Sequence, residues 1–474
     1  MRVIAVDLGA TSGRVVVINY KKGIIDTNII HRFSSYLISE DSHLFWDLNL
    51  IYENVVYGIQ KCLNLYNDIK SIGIDSFGCD YIKIENLKKG RARAYRDYSN
   101  SEYSKKLLLE HDYKDIYKIS GIQNLPFNSI FQLYQDKLNG SVNKVLMIPD
   151  YLNYKLSGVL TSELTNLSTT SLLDAYTQEI SDKLIKLINI ENNPFFAIYK
   201  PGQKIGEYKY KDQIVDVISV CSHDTASAVF ATPLDEDSCY LSSGTWSLFG
   251  ALLDKPLINE LTYEYNFTNE IGYDGKIRFL KNIMGQFIVE EVKKEFEKRE
   301  NRKISFEEIT SEIRKIKNDV YIDVDYQDFQ YPGEMSQKIN QYLIKTGQHS
   351  LNTLYEFVLC VYESLAYKYK IVFDKLKRIT NKSYKKLFVI GGANQSEVLN
   401  HLVANFLDVD VYIGESEGST IGNALVQLIS LKEISLKDKN LLLKKRIKNV
   451  IKRDKELNEI NYKIDEINRV LGGF

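Results

Sequence analysis

The chain has 474 residues, of which 44% are hydrophobic and 26% charged, and its 61 Lys and Arg nearly cancel 62 Asp and Glu to leave a net charge of -1. That balance excludes a disordered chain and a bulk electrostatic attraction to nucleic acid or to an anionic membrane, and the length implies two or three domains at roughly 150 residues each. The five cysteines, Cys62, Cys79, Cys221, Cys239 and Cys360, are scattered and never spaced C-x-x-C. They read as reduced thiols, with neither a zinc site nor a disulfide framework, and a cytoplasmic location is expected because the apolar run Val3 to Val6 ends at Asp7, far short of a signal or a membrane span.

Val3 to Ile18 is an apolar run, a Gly/Thr/Ser turn and a second β-branched run, which predicts strand, turn, strand. Ile69 to Glu85 repeats the pattern, Tyr113 to Leu138 and Val142 to Leu156 read as mostly helical, and Val215 to Ala228 is a strand passing into a small-residue helix. At Ser238 to Leu253 the opening hairpin recurs, which suggests a duplicated domain with a boundary near 236/237: residues 1–236, then 237–474. Ile283 to Arg299 and Leu351 to Leu376 carry helical periodicity, and Leu387 to Gly392 followed by Glu397 to Leu407 reads as strand, glycine pair, helix. Strands mixed with crossover helices place the chain in the α/β class. Residues 431–474 hold 12 Lys or Arg against 7 Asp or Glu, with leucines and isoleucines interleaved, and read as a solvated, charged helical tail rather than a basic arm.

A dinucleotide or P-loop motif needs a helix after its glycines, whereas Gly13 is followed by Arg14-Val-Val-Val-Ile18. The turn is therefore either a plain tight hairpin or a set of backbone N–H groups offered to an anion, and the second such turn at Ser242 to Thr245 favours the anion. Asp7, a charge ending an apolar strand, is costly to bury without a cation or donors, which suggests a water-mediated Mg²⁺ role. Asp224, at the junction Ser222-His223-Asp224-Thr225, is either a helix cap or a general base. Beside two phosphate turns the base is favoured, because phosphoryl transfer to a hydroxyl needs one proton acceptor.

With these residues in place the sequence resembles the FGGY carbohydrate kinases of the actin/hexokinase/Hsp70-type ATPase superfamily. The resemblance runs through Asp7 to Arg14 (DLGATSGR), His43 to Leu48, Ile72 to Tyr81 (IGIDSFGCDY), Gly121 to Asn128 (GIQNLPFN), Glu163 to Thr170 (ELTNLSTT), His223 to Ala226, Ser242 to Ser247 (SSGTWS), Leu280 to Gly285 (LKNIMG) and Gly391-Gly392, and spans about residues 1–430. It implies two ribonuclease-H-like α/β domains with an interdomain active-site cleft, the first binding sugar and the second nucleotide. It also implies a small-molecule ketose as substrate, L-rhamnulose or alternatively L-fuculose or a pentulose, with ATP and Mg²⁺. In its terms Asp224 is the proton acceptor; Ala10, Thr11, Ser12, Gly13, Arg14, Thr245, Glu290 and Gly392 contact ATP; Gly78, His223, Asp224, Thr225 and Asn282 line the sugar; Asp7 serves the metal. A monomer or small homo-oligomer is expected, with no nucleic-acid or membrane partner.

Four positions depart from the family pattern: Phe77 for Trp, Glu290 for Gln, Ala393 for a third Gly, and GESEGS at Gly414 to Ser419. A filament-forming or chaperone ATPase would share the hairpins but needs no Asp224, and a sugar-responsive repressor would need a helix-turn-helix where the chain has Val3 and its strand.

Overall fold

The apolar run after Met1 becomes β1 (Arg2–Leu8), buried from Val3 onward, as a strand covered on both faces must be. It pairs antiparallel with β2 (Ser12–Lys21), which pairs with β3 (Ile24–Ser34), and parallel with β4 (Ile69–Ser76). With β5 (Lys204–Tyr210) and β6 (Gln213–Ile218) these strands form a sheet in the order β5-β6-β4-β1-β2-β3. The computed structural model describes every residue except 35, 392–395, 415–416, 448 and 473–474.

Alternation along β1 divides two cores. Ile4, Val6 and Leu8 pack with Ile51, Val55 and Ile59 of the helix Leu48–Leu65, while Val3 and Ala5 pack with Ala226 and Phe230 of the helix Asp224–Phe230 and with Ile421, Ala424 and Leu425 of the helix Gly418–Ser430. The end of β4 therefore faces the helix that begins with Asp224.

The second unit repeats the wiring. β7 (Ser238–Ser243) and β8 (Trp246–Leu253) form an antiparallel hairpin, and β9 (Ile277–Met284), which enters this unit at Leu280, lies beside β8. Parallel to β7 runs β10 (Lys386–Ile390), then β11 (Asp410–Ile413), closed by the antiparallel β12 (Asn449–Ile451). The pairing senses along β1-β4-β6-β5 and β7-β10-β11-β12 are the same, parallel, parallel, antiparallel, which is one fold used twice. A helix at Leu354–Thr380, started by a Thr353/Glu356 capping box, carries the longest apolar stripe of this unit.

The chain changes unit between Pro233 and Leu234, three residues before the boundary read from the sequence, but 252–279 and 417–445 return to the first unit. Apolar contact decides this: Ile421, Leu425, Leu442 and Leu443 belong to the core that covers Val3 and Ala5.

Three elements depart from expectation. Ile283 and Met284 end strand β9, and the helix starts only at Phe287, because Gly285 turns the chain tightly; a Cβ there would sit 2.8 Å from the Gly244 carbonyl oxygen. Val145–Met147 is a short strand ahead of the helix Ile148–Ser157. The tail is not a single solvated helix. It forms the helix Leu436–Lys444, strand β12 and the helix Leu457–Leu471, with Leu442, Leu443, Ile451, Ile460 and Ile467 buried.

Candidate active site

In the first unit the β1–β2 turn is closed by Gly9 N–H donating to the Ser12 carbonyl at 3.0 Å, with Thr11 and Ser12 exposed and Ala10 half-buried. Gly13 is glycine for packing: a Cβ there would lie 2.4 Å from the Phe33 ring. Asp7 Oδ2 accepts from Arg14 Nε at 3.1 Å and Nη2 at 2.8 Å, from Thr420 Oγ1 at 2.7 Å, and from the Ser419 hydroxyl. Burial alone would raise this carboxyl, but the Arg14 charge and the two hydroxyls hold it below its ordinary range. Arg14 also reaches Glu417 at 3.2 Å, which gives a function to the acidic segment where the family pattern differs; Glu415 and Ser416 of that segment lie outside the described residues.

Beside Asp7, in register on β4, stands Asp75. Its Oδ2 accepts from Asn423 Nδ2 at 2.6 Å, and burial, reinforced by the Asp7 charge, pushes its carboxyl well above the ordinary range. The sequence offered Asp75 inside a quoted motif without a role, since buried neighbours on adjacent strands are invisible along one strand.

The chain leaves β4 through Phe77 and Gly78. Ser76 N–H donates to the Ser222 carbonyl at 2.8 Å and Ser76 bridges His223, so His223 and Asp224 sit at the carboxyl end of β4. Phe77 packs tilted against Trp46, ring centroids 4.5 Å apart, and next to Tyr95. Gly78 lies against Thr169, whose Oγ1 a Cβ would approach to 2.9 Å. Asp80 accepts from Trp46 Nε1 at 2.6 Å, Tyr95 N–H at 2.9 Å and Gln132 Nε2 at 2.9 Å, yet burial still pushes it up to about 7.

The polar motifs behind the resemblance build the frame for this corner. Glu163 Oε2 accepts from Asn166 N–H at 3.0 Å, Ser222 N–H at 3.1 Å and Ser222 Oγ at 2.6 Å, while Asn166 Nδ2 donates to the Phe77 and Ser222 carbonyls at 3.3 Å. Asn128 Nδ2 donates to the Gln123 carbonyl at 2.8 Å and to Ser171 Oγ at 3.0 Å. These bonds fix the two chain segments that carry Gly78 and Asp224.

Asp224 opens its helix, but the cap position belongs to His223, whose side chain makes no cap bond. Among the described residues Asp224 Oδ1 accepts from its neighbour Thr225, N–H at 2.6 Å and Oγ1 at 3.1 Å, rather than from the deeper N–H groups a cap satisfies. Its side chain is 29% exposed, and burial, partly offset by His223, raises its carboxyl above the ordinary range. A partly accessible carboxylate with raised proton affinity suits a general base. His223 Nε2 lies 3.6 Å from Asp224 Oδ1, and its Nδ1 faces Glu270 and Arg278, two residues that no motif along the chain singles out.

In the second unit Thr245 occupies the tip of the β7–β8 hairpin. Its carbonyl accepts from Gly285 N–H at 3.1 Å, and Gln286 N–H donates to the Gly244 carbonyl at 2.9 Å. Asn282 lies on β9 and Glu290 in the first turn of the helix Phe287–Glu300, both partly exposed. Gly391 has φ +88° and packs against the Ser243 backbone, a Cβ falling 2.7 Å from its oxygen, so only glycine is accommodated there. Gly392 and Ala393 lie outside the described residues. Burial also lowers Lys281, next to Asn282, to about 8 against the pull of Asp325. Among the described residues no group of three or more His, Cys, Asp or Glu is arranged to hold a metal ion, and no helix is long and apolar enough to cross a membrane.

The family models for the N-terminal and C-terminal domains of the FGGY carbohydrate kinases match residues 2–231 and 239–431. The chain is 35% identical over 443 residues to the rhamnulokinase of Bacillus subtilis (strain 168), covering 91% of this chain and 90% of that protein. It is 35% identical over 445 residues to the rhamnulokinase of Bacteroides thetaiotaomicron, covering 90% of each. Similar solved folds include a ligand-bound xylulose kinase from Lactobacillus acidophilus, TM-score 0.78 at 15% identity over 99% of this chain and 98% of that one. Another is the ADP complex of Plasmodium falciparum glycerol kinase, TM-score 0.78 at 17% identity over 99% and 97%.

Proposed function

Because the chain belongs to the FGGY family of carbohydrate kinases and phosphorylates a sugar with ATP, we propose that its sugar is L-rhamnulose, phosphorylated at the C1 hydroxyl, with Asp224 as the general base. The observation that carries this proposal is Asp224 itself: a carboxylate with raised proton affinity, bonded to its neighbour Thr225 and still partly accessible. The substrate name comes from the similar rhamnulokinases.

In the reaction the C1 oxygen attacks the γ-phosphorus as its proton passes to Asp224, and the bond to the β,γ-bridging oxygen breaks to release ADP. Gly78, His223, Thr225 and Asn282 are assigned to the ketose. Ala10, Thr11, Ser12, Gly13, Arg14, Thr245, Glu290 and Gly392 are assigned to ATP. In the β1–β2 turn, backbone N–H groups receive phosphate oxygens, and Arg14 acts mainly by keeping Asp7 ionised. The donors on Asp7 all converge on Oδ2, so a hard cation fits at the same carboxylate. Asp7 would hold Mg²⁺ there, and the ion would supply charge neutralisation for phosphoryl transfer. We place the enzyme in the cytoplasm as a monomer or small homo-oligomer, with a small-molecule ketose as substrate and neither nucleic acid nor membrane as partner.

An ADP-release assay with L-rhamnulose, L-fuculose, L-ribulose, L-xylulose and D-ribulose tests the substrate. L-rhamnulose is expected to give the highest kcat/KM; a tenfold preference for L-fuculose or a pentulose reassigns it.

A further inference from the structure

Arg278 is fully buried, and its Nη2 lies 2.9 Å from His223 Nδ1 and 2.8 Å from Glu270 Oε2. A guanidinium only donates, so the bond to Nδ1 requires a lone pair on that nitrogen. The two hydrogens of Nη2 then serve one acceptor each, His223 and Glu270, and Nε donates to the Ile271 carbonyl at 3.3 Å. Glu270 Oε2 stands 3.3 Å from Nδ1, an acceptor facing an acceptor, with the guanidinium between them in charge. The ring proton is left on Nε2, the nitrogen 3.6 Å from Asp224 Oδ1. Glu270, buried but held down to about 2 chiefly by the Arg278 charge, keeps its negative charge and anchors the arginine.

We propose that Arg278 and Glu270 are positioning residues that hold His223 as the neutral Nε2–H tautomer, so that Asp224 faces a neutral hydrogen-bond donor and not an imidazolium. The consequence is chemical. An imidazolium 3.6 Å from Asp224 would stabilise its carboxylate and lower its basicity, whereas a neutral N–H orients it and leaves the raised proton affinity in place. A second proton would have to take the Nδ1 lone pair that already accepts from Arg278, setting two donors against each other. The charged and titratable groups facing His223 are Asp224 from its own helix and Glu270 and Arg278 from the neighbouring strands; Cys79 lies beside Glu270, and Cys221 beside Arg278. This proposal rests on Asp224 being the base, but its first test does not.

The full-length enzyme, labelled with ¹⁵N-histidine, is examined by two-bond ¹H–¹⁵N correlation spectra from pH 5.5 to 8. The chain has six histidines, and loss of a signal set in His223→Gln identifies the one of interest. The expected pattern is a protonated Nε2 and an unprotonated Nδ1 throughout. A proton on Nδ1 at pH 7, alone or with one on Nε2, overturns the proposal whatever Asp224 does. Kinetics give the second arm. Arg278→Met leaves Glu270 facing Nδ1 and should draw a proton onto His223, lowering kcat about tenfold more at pH 6 than at pH 8 with ketose KM changed less than threefold, and Arg278→Lys should restore most of the loss. A fall in kcat that is equal at both pH values marks a purely structural role and also overturns it. Should Arg278→Met not fold, the wild-type spectra decide. An unaltered rate in Asp224→Asn, with the tautomer as expected, would refute the base assignment and leave the histidine finding standing.

Discussion

Gly422 lies on the helix Gly418–Ser430 where it crosses the helix that begins with Asp224, and a Cβ built on it falls 1.8 Å from the Ser227 carbonyl oxygen, 2.4 Å from its carbon and 2.9 Å from its Cα. These are backbone atoms and cannot rotate away. Reaching an ordinary contact requires the helices to part by about 1.5 Å or more. Overpacking of this kind costs about 1–3 kcal/mol, and at about 2–4 °C per kcal/mol Gly422→Ala should lower Tm by roughly 2–12 °C. The displaced partner is only seven residues long and carries Asp224 at its first position, so the base moves with it. A misplacement of about 1 Å costs on the order of 10² in rate. With ATP and ketose saturating, kcat should therefore fall by 10-fold to 100-fold. Melting followed by circular dichroism, beside steady-state ADP release, checks both. A variant within 1 °C and twofold of the wild type would show that this crossing does not position the base.

Asp80 gives a pH-dependent stability with a defined sign. Its folded carboxyl titrates near 7 against an ordinary 3.8, so the folded state binds the extra proton and this group's contribution declines as pH rises across that window. Asp80→Asn should lose less stability between pH 5 and pH 8 than the wild type, by up to about 3 kcal/mol in urea unfolding, and equal slopes would contradict it. The raised carboxyl of Asp224 predicts an acidic limb of kcat displaced upward from the ordinary carboxylate range, with activity lost as pH falls; a kcat flat from pH 8 to pH 4 would exclude Asp224 as the base. Glu290→Gln should change KM for ATP less than about fivefold, because both side chains present an acceptor oxygen at the same reach, and binding more than tenfold tighter would reveal a repulsive charge toward the triphosphate.

What could be read along the chain is what repeats locally. The hairpins at Val3 and Ser238, the strand-to-helix junction at Asp224 and the helix from Leu354 all follow from periodicity and turn residues. Contacts far apart in sequence were not legible. The register of Asp7 against Asp75, the return of Ser419 and Thr420 to Asp7 and of Glu417 to Arg14, and the closure of Arg278 and Glu270 on His223 join segments separated by 47 to 413 residues. Local patterning also misplaced Ile283, since its apolar spacing fits a helix while its neighbours extend a strand. The tail misled in the other direction: charge dominates its composition, yet a minority of leucines and isoleucines pins it to both units' cores.

The most direct measurement on the central assignment is the turnover of L-rhamnulose by Asp224→Asn, which keeps the side chain's size and its bond to Thr225 while removing its basicity. With folding verified by an unchanged far-ultraviolet spectrum and ATP binding retained, kcat should fall by roughly 10² to 10⁴ while KM for the ketose changes little. A mutant within threefold of the wild type would contradict the assignment of Asp224 as the base.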